Sequence, residues 1–149
     1  KYCRYIKTHF ICNIQNNNFS PVSVPSMLIN LSNHPFSLWS EAQTKAAYDQ
    51  YGQVIDLMFP AVDPAGDEEY VKALVTEYLS KIQSVIQDFS NVTVHIMGEM
   101  TFTFTMIMEL QKLGIKCVAS TTTRITLEDN GVKSSEFRFV KFREYGKLQ

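Results

Sequence analysis

The order of apolar and polar positions along the chain switches several times between two periods. Leu28-Ile29-Asn30-Leu31 is a short apolar run that ends in a Ser-Asn-His-Pro turn, the pattern of a buried strand. Ser40 then opens SEAQTKAAYDQYG, a helical stretch with a good N-cap, helix-favouring alanines and Gly52 placed to stop it. Gln53–Phe59 reads as a second strand, closed by Pro60. After the loop PAVDPAGDEE, the residues Val71, Leu74, Val75, Tyr78, Leu79, Ile82, Val85, Ile86 and Phe89 recur at spacings of three and four. That stripe predicts a long amphipathic helix, with Asp67, Glu68 and Glu69 at the positive end of its dipole.

Asn91–Met97 alternates as a third strand and breaks at Gly98. The next segment mixes β-branched and aromatic residues with the helical ending MIMELQKLG, and we read a helix over Met100–Leu113 closed by Gly114. Ile115–Ala119 is a fourth strand, followed by the polar run Ser120-Thr121-Thr122-Thr123-Arg124. The remainder alternates in period two about Asp129-Asn130-Gly131, and Asn-Gly is a strong hairpin signal. The sum is an α/β domain: strands and helices in alternation, a mostly parallel sheet covered on both faces, and a C-terminal β-hairpin.

Composition narrows the classes. The 149 residues are 45% hydrophobic and 19% charged, which excludes a disordered chain. No apolar stretch approaches the roughly 20 residues of a spanning helix, so a membrane role is excluded. The net charge of -1 argues against capture of duplex nucleic acid by a basic face. Cys3, Cys12 and Cys117 lack CxxC spacing, which points away from a disulfide framework or a zinc site and towards a cytoplasmic protein. The charge is uneven. Residues 1–26 hold Lys1, Arg4 and Lys7 with no acid, are rich in asparagine, and lack the apolar core of a secretory signal. We expect them to be an extension outside the core, with residues 27–145 forming one domain and 146–149 a tail.

In a parallel sheet, ligands sit beyond the carboxyl ends of the strands. The residues expected there are Ser32, Asn33 and His34 after the first strand, and Gly98, Glu99, Met100 and Thr101 after the third. Ser120, Thr121, Thr122, Thr123 and Arg124 follow the fourth. Hydroxyls, helix-start amides and one arginine converging on one rim suit a phosphate or a ribose. His34, outside any apolar periodicity, has the chemistry of a proton carrier or phosphate donor. Glu99 reads as a general base, a ribose contact or simply an acid favoured at a helix start. The threonine run reads as a binding strip or as strand propensity. His95 alternates within its strand and reads as a packed histidine. GxGxxG and Walker patterns are absent from the sequence, and no metal or cofactor is expected.

The turns NLSNHP and GEMTFTF, with the closing hairpin, resemble those of the CRISPR-associated Rossmann-fold (CARF) superfamily and its small single-domain ring-nuclease relatives. The resemblance covers residues 27–145 and rests on the order of elements. It implies a Rossmann-like three-layer sandwich, a homodimer, and a cyclic oligoadenylate ligand in type III CRISPR signalling. It also implies metal-independent cleavage by attack of a ribose 2′-hydroxyl. Ser32, Asn33 and His34 match the first-strand turn, and Gly98, Glu99, Met100 and Thr101 the later one, although the paired glycines and lysine typical there are replaced. In that scheme His34 moves a proton while Arg124 and the amides near Thr101 stabilise the phosphorane. Two other readings stand beside it. One is a nucleoside deoxyribosyltransferase-like enzyme with Glu99 as nucleophile. The other is a non-catalytic sensor or sequestering module, with Phe137, Phe139 and Phe142 between basic residues forming a dimer surface or covering the sheet.

Overall fold

The computed structural model describes residues 26–86, 89–129 and 132–147. The expected leader, Ser26 aside, and the Asn130-Gly131 turn lie outside the described residues. The elements run β1 (Met27–Ser32), α1 (Glu41–Tyr51), β2 (Gln53–Asp56), α2 (Glu68–Val85), β3 (Val92–Met97), α3 (Met100–Lys112), β4 (Lys116–Asp129) and β5 (Val132–Glu144). They build one five-stranded sheet in the order β2-β1-β3-β4-β5. The first four strands are parallel, and β5 returns antiparallel to β4. The chain steps from β1 to β2 on one side, then crosses back to place β3 on the other. The strand order therefore reverses at β1/β3.

Alternation along the buried strands divides the core between two faces. Ile29, Leu31, Val94 and Ile96 point towards α2 and α3, where they join Val75, Ile82, Met106 and Leu110. Phe102, fully buried, sits at the centre of that layer, edge-on to Phe59 at 5.3 Å and Tyr78 at 5.5 Å. Burying each such side chain is worth about 1.5–3 kcal/mol. The opposite face is thinner. Its buried apolar residues are Leu28, Ala47, Val118 and Phe142, and α1 contributes only Ala47 to them. The same face carries the buried polar residues Asn30, Ser32 and His95.

The helix ends follow their sequence signals. Ser40 Oγ accepts from Gln43 N–H, and Asp67 accepts from Tyr70 N–H. Gly52 and Gly114 end α1 and α3 with φ of 70° and 76°, a left-handed backbone that favours glycine. Two expected boundaries move inward. β2 leaves the sheet after Asp56, although Leu57 N–H still bonds to Asn30 C=O at 2.8 Å. α2 ends at Val85, so Phe89 lies in a separate 3-10 turn, Phe89–Asn91.

One expectation is overturned. Ser120–Arg124 is not a loop beyond the fourth strand but the middle of β4, which continues to Asp129. β-branched threonines favour an extended chain, and β5 supplies a partner residue by residue, from Val118↔Glu144 to Asp129↔Val132, with one bulge at Thr121/Thr122. The register of β4 with β3 covers only Lys116–Val118. Beyond that, β4 and β5 form a two-stranded arm. No helix among the described residues is long and apolar enough to cross a membrane.

Candidate functional site

Two residues on from the apolar layer of Leu28 and Val118, the α1 face turns polar. In the parallel register Asn30 lies beside His95, and Val118 beside His95 on the other side; Ser120, two residues on from Val118 and on the same face, comes within reach of the His95 ring. α1 returns antiparallel to these strands, which brings its first turn, with Gln43, to the same end of the sheet. A continuous hydrogen-bonded chain results. Asn30 Nδ2 donates to Asp56 Oδ1 at 2.7 Å and to the His34 carbonyl at 3.0 Å. Asn30 Oδ1 faces His95 Nδ1 at 2.8 Å, and His95 Nε2 faces Ser120 Oγ at 2.8 Å. Gln43 Nε2 donates to the same Ser120 oxygen at 3.0 Å.

This pattern fixes the histidine tautomer. The neighbours of Asn30 Nδ2 are a carboxylate and a carbonyl, both pure acceptors, so the amide oxygen must be the atom that faces His95. The ring proton therefore sits on Nδ1, and Nε2 presents its lone pair to Ser120. His95 is buried with its ring edge-on to Trp39 at 5.1 Å and Phe142 at 5.5 Å. Burial, with a smaller contribution from His34, pushes its pKa down to about 4, so the ring is neutral at physiological pH. The loop after β1 is anchored to the same network. Asp56 Oδ2 accepts from Phe36 N–H at 3.1 Å, and Trp39 Nε1 donates to the His34 carbonyl at 3.1 Å.

Above this network lies a pocket of about 460 Å³, lined by His34, Leu38, Trp39, Ser40, Gln43, His95, Met97, Ser120, Thr122, Phe137 and Phe139. It opens at the carboxyl ends of β1 and β3, where the strand order reverses. Aromatic walls stand over a floor of hydroxyl, amide and imidazole groups. No carboxylate, lysine or arginine belongs to the lining.

The expected site residues do not converge on one rim. His34, Ser120 and Thr122 line this pocket. Ser32 is buried beneath it, its hydroxyl 2.8 Å from Asn30 Oδ1 and 3.0 Å from the His34 carbonyl. Asn33 N–H extends the sheet by bonding to the Met97 carbonyl. Gly98 and Met100 lie instead in a more apolar groove of about 400 Å³, with Phe104, Ile107 and Tyr145. Gly98 admits the ring of Phe59, which a Cβ there would strike. Glu99 caps α3: its carboxylate accepts from Thr101 N–H at 3.0 Å, Thr101 Oγ1 at 2.8 Å and Phe102 N–H at 2.8 Å. The amides of Phe102 and Thr101 hold that carboxyl below its ordinary range. Thr121 spends its hydroxyl on the Lys141 carbonyl. Arg124 is exposed on the arm, donating to Ser135 Oγ and standing 5.9 Å from the Phe137 ring. His34, Glu99 and Arg124 are thus separated, and neither pocket holds more than one of them.

Sequence reasoning passed over Asn30, Trp39 and Gln43, read Ser40 only as a helix cap and left Asp56 as a strand residue; His95 is packed as expected, but its two polar partners were not foreseen. The signal available was Asn30, a polar side chain in the middle of an otherwise apolar strand. Among the described residues no group of three or more His, Cys, Asp or Glu is placed to hold a metal ion. Cys117 is a buried free thiol whose pKa burial pushes up to about 12, which leaves it unreactive.

In comparisons with known proteins, a family model described as "Uncharacterized protein MJ1673 family" matches residues 26–143. No curated protein and no solved structure matches.

Proposed function

The chain belongs to the MJ1673 family, and we propose that it is a Rossmann-like nucleotide-binding domain whose ligand is a small cyclic oligoadenylate held between two copies of the chain. The observation that carries this reading is the pocket at the β1/β3 reversal, because open parallel sheets bind ligands where the strand order reverses. Its volume falls in the range of small-molecule sites. Trp39, Phe137 and Phe139 offer ring faces to an adenine base, and Ser40, Gln43, Ser120 and Thr122 offer hydrogen bonds to its edge or to a ribose. A neutral lining suits base and sugar, and leaves the phosphates directed outwards, where Arg124 stands beside Phe137.

The arm supports the homodimer. A two-stranded ribbon gains little stability alone, and Phe137 and Val140 are 64% and 55% exposed on it. A second copy would cover them and close the pocket over a symmetric ring. The resemblance of the turns to the CARF superfamily supports a ligand of type III CRISPR signalling. We favour binding over cleavage by His34, Glu99 and Arg124, since in-line attack needs catalytic groups gathered at one phosphate and these three are apart.

The test is titration of the full chain with cyclic tri-, tetra- and hexa-adenylate, read through the single tryptophan, Trp39. Light scattering and mass spectrometry of the complex follow. Saturable quenching at one intact ring per two chains is expected. No response to any of the three rings overturns the proposal, and a linear product would restore the nuclease reading, with His34→Ala as its first check.

A further inference from the structure

We propose that Ser120 is an activated nucleophile, with His95 as its general base and Asn30 as the positioning residue, forming an acyl-transfer site for neutral esters in the floor of the α1-side pocket. This goes beyond nucleotide binding and does not depend on it.

Three features argue for it. The first is the sequence of contacts: Ser120 Oγ to His95 Nε2 at 2.8 Å, and His95 Nδ1 to Asn30 Oδ1 at 2.8 Å. A nucleophile, a base and an orienting group within hydrogen-bond reach of one another are the requirements for covalent catalysis, and an amide serves as the orienter in one known class. The second is direction. Asp56 and His34 hold Asn30 so that only its oxygen can meet the ring, which puts the accepting lone pair on the side of Ser120. The third is access. His95 is 1% exposed, shut in by Trp39 and Phe142, whereas Ser120 is half-buried and lines the pocket. The relay thus opens to ligand only at its hydroxyl end. Gln43 Nε2 donates to one lone pair of Ser120 Oγ, leaving the other for attack.

The lining decides the substrate class. With no fixed charge and with aromatic walls, the pocket fits an uncharged acyl group better than a phosphate. Ser120 Oγ forms a bond to the ester carbonyl carbon as its proton passes to His95 Nε2. The carbon–alkoxide bond then breaks, and the leaving alcohol takes that proton. Water, deprotonated by the same nitrogen, hydrolyses the acyl-serine and restores Ser120.

The test uses the full folded chain at pH 8 with diisopropyl fluorophosphate, whose phosphorus accepts Ser120 Oγ as fluoride leaves. Intact mass and peptide mapping should give one adduct, on Ser120, absent from Ser120→Ala and formed at least roughly 100-fold more slowly in His95→Phe. In parallel, ring ¹⁵N shifts of the unmodified protein should report the Nδ1–H tautomer of His95, a readout that does not depend on any variant folding. No adduct, an adduct elsewhere only, equal rates in His95→Phe, or an Nε2–H tautomer would each overturn the proposal. Because the reagent carries no base or sugar, failure here leaves nucleotide binding standing, and failure of nucleotide binding leaves this result standing.

Discussion

Replacing His95 by phenylalanine should remove most of the acid sensitivity of the fold. Burial, with a smaller contribution from His34, lowers the His95 pKa from 6.5 to about 4. The unfolded chain takes up a proton near 6.5, whereas the folded chain resists until about 4, so protons bind the unfolded state more strongly between those values. Stability from this source is complete above 6.5, falls as the pH drops through the window, and levels off below about 4. At about 1.4 kcal/mol per pH unit, the whole window is worth on the order of 3 kcal/mol, and about 2 kcal/mol is already lost at pH 5. For a chain of this size that is a fall in Tm of roughly 6 °C. The phenylalanine ring fills the space between Trp39 and Phe142. Ser32 lies 2.8 Å from Asn30 Oδ1 and can still donate to it, and Ser120 can turn to water. The assay is urea unfolding of both proteins from pH 7.5 to 5.0, taking the difference so that groups common to both cancel. A wild-type slope no steeper than that of His95→Phe, or an NMR titration placing His95 near 6.5, would refute the reasoning.

Other changes test other parts of the molecule. Glu99→Gln weakens the cap of α3 and should lower stability by about 1 kcal/mol in thermal melts while ligand affinity stays unchanged. Loss of nucleoside cleavage in that variant would instead restore Glu99 as a nucleophile. Trp39→Ala removes one pocket wall and the indole bond to the His34 carbonyl, and should weaken adenylate binding at least tenfold by calorimetry. Gly114→Ala has open space for its methyl group but the wrong backbone, and should cost about 1 kcal/mol through φ alone. An unchanged urea midpoint would show that the turn relaxes.

Much of the architecture was legible in the chain because it depends on local periodicity. The stripe from Val71 to Ile86, the caps Ser40 and Asp67, and the stops Gly52 and Gly114 act within one or two turns of their own element. The alternation of strands and helices then fixes an α/β sheet with helices on both faces. The end of β4 was not legible. Whether a threonine run continues a strand or leaves it depends on a partner, and β5, some twenty residues further along, supplies one.

The site was legible only in parts. His34 follows from its place after β1, whereas Ser120 and Thr122 were expected beyond a strand end and lie within β4 instead, and in the sequence every expected strand end has equal standing. Tertiary structure separates them: β3 and its turn pass between two faces, so Gly98 and Met100 go to the α3 side while His95 and Ser120 stay on the α1 side. A chain of hydrogen bonds joins Asn30, His95 and Ser120, which are far apart in the chain and share no motif. Parallel register sets Asn30 beside His95, the alternation of faces brings Ser120 to the same side, and a helix that buries little more than Ala47 leaves the space above them open. Periodicity therefore determined which elements exist and which side of each is apolar. Register and packing determined which polar groups meet, because hydrogen bonds of 2.8 Å demand a placement that no local pattern encodes.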